Sequence, residues 1–385
     1  MIDTRLKEWA TPKQCEYIDK INELGSSRRA AKFLGVARQT VDGVVRVVKR
    51  KAARAGYAPE ADMHRATVAP FVVKGTSTLY DKDGNMAAQW VKTTVDREQV
   101  EQAVRAAVDA LMLEVPRVAP LPAPKSTLAD LCNLYTITDY HVGMRAWAPE
   151  TGEDWDLDIA ERVLLSAFTH AVKHSPKAGT AFVNQLGDFL HFDSLSPITP
   201  MSGHLLDADS RYAKVIQVAT RLLRRIITMA LETHEQVVVL LAEGNHDTAS
   251  SVWLRHLFGL LYENEPRVKV IDSELPYYAH QHGKTMLAFH HGHLAKNAQL
   301  PLLFAARFPE VWGTSTKRYV HVGHWHHVEE KEHAGMKVVQ HATLAAADAY
   351  ASRHGYLSQR ELTVITYHKQ FGQVARTTVC PEMFE

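Results

Sequence analysis

At 385 residues the chain is longer than one average domain and has room for two or three. Hydrophobic residues make up 46% of it, enough for a large core, yet no apolar run reaches the roughly 18 residues of a membrane span. Three scattered cysteines (Cys15, Cys132, Cys380) form no CxxC, and Met1-Ile2-Asp3-Thr4-Arg5 lacks a signal-peptide pattern, so a soluble cytoplasmic protein with no membrane partner is expected.

Helices open the chain. Thr11-Pro12 offers an N-cap followed by proline in the first turn, and Tyr17, Ile18, Ile21 and Leu24 recur at helical spacing until Gly25. In the next stretch, small Ala31, Gly35 and apolar Val41 fall where a helix-turn-helix places its helix contact, its turn and its second-helix core. Residues 26–55 carry nine Lys or Arg against one acid, Asp42, within a chain of net charge +1. A basic cluster on a neutral whole points to one nucleic-acid-facing element, with DNA as the expected partner and self-association left open. Arg28, Arg29, Arg38, Gln39, Thr40, Arg46, Lys49 and Arg50 are the candidate contacts; a helical hairpin that binds a protein is the competing reading.

After residue 60 the pattern turns to β. Two apolar runs flank Asp83-Gly84, a hairpin turn signal, and Asp96 is placed to cap a helix to about Leu113. Phe71, Tyr80 and Trp90 are read as core of this small ββα unit. Four prolines between Val115 and Lys125 read as a semi-rigid extended linker with little to pack. The expected organisation is a basic module at 1–60, a ββα unit at 65–114, a linker at 115–127 and a catalytic domain at 128–385.

That domain holds five polar clusters, each just after an apolar run with the burial pattern of a strand: Asp139-Tyr140-His141, Gly187-Asp188-Phe189-Leu190-His191, Gly244-Asn245-His246-Asp247, His290-His291-Gly292-His293 and Gly323-His324-Trp325-His326. Open α/β sheets gather their active sites past strand ends, and Asp, His and Asn are ligands for Zn, Mn or Fe. Amphipathic helices are expected from Asp156 or Asp158 to about His174 and from Ala208 to Thr233. The loop at 190–207 reads as a substrate-facing rim. Strand patterns at 337–341, 362–367 and 373–379 are expected to complete a second sheet. Nine of the 22 histidines, His170, His234 and His354 among them, read as ordinary core or surface residues.

The five clusters, in this order, resemble the calcineurin-like metallophosphoesterase superfamily. The resemblance covers roughly the last two-thirds of the chain and departs from the family at His191, where many members carry Asp or Asn. It implies an α/β fold, a four-layer αββα sandwich, to which the chain adds the helix-turn-helix module and the ββα segment. It also implies two divalent ions, Mn²⁺ first with Fe or Zn as alternatives. Asp139, His141 and His326 would hold one, Asn245, His291 and His324 the other, and Asp188 would bridge them. His246 would face the scissile phosphate without binding metal, and Asp247 would orient its imidazole and raise its pKa. His191 and His293 would support ligands or face substrate.

Two such ions offset the phosphate charge and generate a hydroxide near neutral pH. With the basic module, the arrangement is similar to the double-strand-break-repair branch and to phosphoesterases encoded by tailed bacteriophages, in which case the compartment is the host cytoplasm. The expected function is a DNA nuclease acting as a dinuclear phosphodiesterase. A phosphatase or nucleotide phosphodiesterase whose module binds a partner is the alternative, and a non-enzymatic DNA-binding regulator is the third reading.

Overall fold

The computed structural model describes residues 2–61, 63–64, 71–80, 86–95, 117–200 and 203–384. The chain divides into two compact units, Met1–Gln102 and Ala103–Glu385.

In the first unit, helix α1 spans Pro12–Leu24 and starts with a reciprocal cap: the Gln14 N–H donates to Thr11 Oγ1 (3.3 Å) and the Thr11 N–H to Gln14 Oε1 (3.0 Å). Helix α2 (Ser27–Leu34) ends at Gly35, whose φ of 66° suits a residue without a Cβ, and α3 (Arg38–Arg54) follows. Ala30, Ala31 and Val41 are buried where the helices meet, with Tyr17 and Ile21 of α1. The eight candidate nucleic-acid contacts are all at least partly exposed on α2 and α3. Arg38 pairs with Asp42 (3.3 Å) and Lys49 with Glu60 (3.3 Å).

Short strands β1 (Tyr57–Ala58) and β2 (Met63–His64) pair, and β3 (Phe71–Tyr80) forms an antiparallel hairpin with β4 (Met86–Val95), Ser77 facing Trp90. Tyr80 and Trp90, expected in a core, are exposed: a two-stranded ribbon leaves part of its surface to solvent. The expected turn at 81–85 and the helix after Asp96 lie outside the described residues.

The second unit has two sheets face to face. The first holds β5 (Leu128–Ile137), β6 (Ala178–Gln185), β7 (Gln236–Leu241) and β8 (Val268–Val270), all parallel, with β14 (Leu362–His368) antiparallel to β5 and β15 (Gly372–Val379) at the edge. The second holds β9 (Tyr278–His282), β10 (Thr285–Phe289), β11 (Lys317–Val322), β12 (Glu329–His333) and β13 (Met336–Gln340), with β10, β11 and β13 parallel. Leu134, Phe182 and Leu240 of the first sheet meet Leu287, Phe289 and Val339 of the second. Helices Leu157–His174, Tyr212–Thr233 and Thr248–Leu261 cover the outer face of the first sheet. Helix Leu300–Arg307 covers that of the second. The result is a four-layer αββα sandwich. No helix among the described residues is long and apolar enough to cross a membrane.

Three expectations change. Strands β14 and β15 join the first sheet, not the second; only β13 adds to the second, because Thr363–His368 pairs with Leu131–Thr136 of β5. The helix expected from Ala208 begins at Tyr212, since Ala208 bridges Met144 and the Asp209 N–H donates to the Gly143 carbonyl (3.0 Å). The described part of the proline-rich stretch packs: Val118 and Leu121 lie against the helical core, and the Leu121 N–H donates to Glu265 Oε2 (2.8 Å).

Candidate metal centre

All five clusters lie past the carboxyl ends of parallel strands: the first three follow β5, β6 and β7, the last two follow β10 and β11. Two sheets packed face to face bring these ends together. The backbone bends sharply to do so. Asp139, His141, Asp188, His324 and His326 all take φ between 50° and 69°, and no other described residue except glycine has a positive φ. Left-handed conformations cost a residue with a Cβ roughly 1–3 kcal/mol each, and clusters of them mark functional sites.

Three groups of candidate ligand atoms result, each drawn together within 4.8 Å: Asp139 with His141 and His326; Asp139 with Asp188, His291 and His324; and His141 with His191 and His246. Each carboxylate has one oxygen tied to the chain and the other turned inward. Asp139 Oδ2 accepts from Thr138 Oγ1 (2.6 Å) and the His324 N–H (2.9 Å), while Oδ1 lies 3.1 Å from His326 Nε2 and 3.8 Å from His291 Nε2. Asp188 Oδ1 accepts the His246 N–H (2.8 Å), while Oδ2 lies 3.1 Å from His291 Nε2. The glycines let these groups approach. A Cβ at Gly244 would sit 2.0 Å from Asp188 Oδ1, and one at Gly323 would sit 2.0 Å from Thr138 Oγ1.

The donor set suits divalent ions on three grounds. His291 Nδ1 faces the Leu186 carbonyl (2.9 Å), which can only accept, so Nδ1 donates there and Nε2, on the Asp188 side, is the nitrogen left for an ion. His141 Nδ1, His191 Nδ1, Asn245 Oδ1 and His291 Nε2 are buried without a hydrogen-bond partner among the described residues. Finally, burial opposes charge on His291, yet the Asp188 and Asp139 carboxylates override it and push the imidazole up to about 10. The field at that point calls for positive charge.

Asp139 and His141 each belong to two of the groups and Asp188 to one. Asp188 still stands between them: burial works against its charge, but His291, His246 and His141 hold it well below the ordinary carboxylate range. Asp247 does not orient His246. Its buried carboxylate accepts backbone N–H groups from Asp188 (3.1 Å), Phe189 (2.7 Å), Leu190 (3.1 Å) and Gly244 (3.0 Å), and so fixes the loop that carries Asp188. The His246 ring is held instead by the His191 carbonyl (Nδ1 to O, 2.8 Å), which leaves Nε2 free.

His191 joins the group with His141 and His246, whereas His293 joins none; burial, with His291 and His290 nearby, pushes His293 down to about 3. His290 turns away, with Nδ1 facing the Pro276 carbonyl (2.8 Å).

Two supports escaped sequence reasoning. The Thr343 hydroxyl donates to the Asp139 carbonyl (2.7 Å) from more than two hundred residues away, which no local pattern announces. Asp193 caps helix Thr248–Leu261, accepting the Ala249 (2.6 Å) and Ser250 (2.8 Å) N–H groups. Its signal was an acid two residues past His191 in a polar loop.

No protein-family model matches the chain, and no curated protein does. Several solved structures are similar to it. A dimetal phosphatase from Danio rerio is 9% identical, with 64% of this chain and 98% of that chain covered and a TM-score of 0.35. An archaeal phosphodiesterase is 12% identical over 64% and 99%, with a TM-score of 0.32. The phosphoesterase YfcE from E. coli is 12% identical over 64% and 99%, with a TM-score of 0.29. Identities and scores of this size assign no function, so the chemistry rests on the side chains themselves.

Proposed function

We propose that the second unit is a metal-dependent phosphodiesterase and that the whole chain acts on DNA. The observation that carries the reading is the convergence of Asp139, Asp188 and six histidines in the three ligand groups, with buried, unpartnered atoms on His141, His191, His291 and nearby Asn245, and left-handed backbone at five residues of the groups. Asp139, His141 and His326 would hold one ion and Asn245, His291 and His324 the other, with Asp188 between them. Divalent ions there would neutralise a phosphodiester and make a water nucleophilic near neutral pH.

The chain's own residues supply the rest. Asp139 and Asp188 keep one oxygen each for ligation because Thr138, His324 and His246 occupy the other. The His246 ring, with Nδ1–H on the His191 carbonyl, presents Nε2 to a leaving oxygen and can donate a proton there. Asp247 keeps the Gly187–Leu190 turn rigid through its backbone hydrogen bonds. The exposed basic residues of α2 and α3, among which Arg46 and Arg50 lack an acidic partner among the described residues, support a nucleic-acid substrate.

The test compares supercoiled plasmid DNA with bis(4-nitrophenyl) phosphate and 4-nitrophenyl phosphate in Mn²⁺. Nicking or linearisation of the plasmid, with the diester cleaved faster than the monoester, is expected. Hydrolysis of the small esters with the plasmid intact would overturn the DNA assignment and leave a phosphatase or nucleotide phosphodiesterase whose first unit binds a protein.

A further inference from the structure

Trp325 lies between His324 and His326, and both neighbours are held at positive φ (69° and 57°). Its place is therefore set by the backbone of the metal site and not by packing. The side chain is 57% exposed and belongs to none of the hydrophobic clusters of its unit. Its one ring neighbour among the described residues is His324, edge-on at 5.3 Å and 73°. An open indole forgoes the burial of roughly 150–250 Å² that a tryptophan normally brings, and nothing else among the described residues offsets it.

Three other exposed aromatics of this unit lie close in sequence to residues of the metal site or of its support. Trp147 follows the Asp139–His141 turn. Tyr350 and Tyr356 are exposed; Tyr350 meets His354 tilted at 4.1 Å and Tyr356 stacks on it at 5.8 Å, in the segment that begins at Thr343 on the Asp139 carbonyl. Arg353 ties that segment back to Glu150 at 2.7 Å. Among the described residues of this unit, the exposed aromatic that lies elsewhere is Phe371, between β14 and β15.

We propose that Trp325 is a stacking platform for a nucleobase adjoining the phosphate at the metal-site residues. The inference rests on the phosphodiesterase reading above and names the substrate class of that same site, a nucleic-acid strand. A planar base suits an indole face left open beside a phosphate-binding cluster, and stacking tolerates sequence because every base has a π face. A lipid or a simple monoester has no planar group to place there.

The full-length protein in Mn²⁺ is assayed on thymidine 5′-(4-nitrophenyl) phosphate and on methyl 4-nitrophenyl phosphate, which share a leaving group and differ by the nucleoside. Trp325→Ala should raise KM for the nucleoside ester by roughly 5- to 150-fold, leave the methyl ester unchanged and alter kcat little on either. Trp325→Phe should restore most of the loss. Anisotropy of a labelled oligothymidylate in chelator, where nothing is cleaved, should show a weakening of Kd for Trp325→Ala and its recovery in Trp325→Phe. Equal changes in KM on both esters, or none on either, would overturn the stacking role while leaving the phosphodiesterase standing. A wild-type protein that cleaves neither ester would instead overturn the reading on which the stacking role rests.

Discussion

Asp188 and His246 share a corner of the site, joined by one hydrogen bond from the His246 backbone, yet their side chains are expected to fail in different ways. Asp188→Asn removes a charge at the centre of the ligand set, so bound metal measured by elemental analysis should fall and activity should vanish. His246→Ala should keep both ions while the rate drops by roughly two to four orders of magnitude if, as proposed, Nε2 serves the leaving group and not an ion. Loss of an ion in His246→Ala would make it a ligand, as its place beside His141 and His191 allows.

A third residue separates site from scaffold. Asp247→Asn exchanges one carboxylate oxygen for an NH₂ that must face backbone N–H groups, so it should lower stability by roughly 1–3 kcal/mol in urea titrations. An unchanged midpoint with lost activity would place Asp247 in the chemistry instead. The residues that converge on the site and their order were legible at this scale, since each sits in a short local motif. The role of Asp247 was not, because three of its four backbone partners lie in a loop more than fifty residues earlier.

At the scale of elements, every strand that leads to the site could be read from an apolar run, and every candidate ligand from its place just past that run. Boundaries were legible where a cap declares them, as at Thr11, Gly25, Gly35 and Asp156, whose side chain accepts the Ile159 N–H at 2.8 Å. They failed at Ala208, where a tertiary bridge to Met144 overrides a good helical pattern. Helix α3 carries the element-scale prediction. Arg38, Arg46, Lys49 and Arg50 fall within an arc of about 120° at 3.6 residues per turn, on a face open to solvent. Replacing Arg46 and Arg50 with Ala should weaken DNA binding and lower the salt slope of log Kd by roughly one for each phosphate no longer neutralised. Hydrolysis of bis(4-nitrophenyl) phosphate should stay unchanged. Affinity and slope equal to wild type would reassign α2 and α3 to protein contacts.

For the whole second unit, the alternation of apolar runs with helices made the α/β class legible, but not which sheet the last strands would join. Pairing of β14 with β5 links residues more than two hundred positions apart, and a strand pattern does not name its partner. The same joint between sheets hides a pH dependence. His321 on β11 lies 2.9 Å from His341 Nε2 and, through its other nitrogen, 3.1 Å from Tyr367 Oη on β14. Burial, with Arg376 nearby, pushes His341 down to about 3 and holds His321 well below the ordinary imidazole range. Both are neutral in the fold and take up protons when it opens. The stability they favour is therefore complete above about pH 6.5 and is lost as pH falls toward 3, by about 1.4 kcal/mol per pH unit for each histidine. Denaturant titrations in chelator should show this slope between pH 6 and 4, and His341→Gln should flatten it. An identical slope in the variant would mean that other groups control acid unfolding.

The central claim is that these ligands make phosphodiester hydrolysis depend on divalent metal, and a metal titration tests it most directly. The protein is stripped with chelator, verified metal-free by elemental analysis and titrated with Mn²⁺ while cleavage of bis(4-nitrophenyl) phosphate is followed. Activity should be absent at the start and should level off at two ions per chain; full activity in the verified metal-free protein would contradict the account.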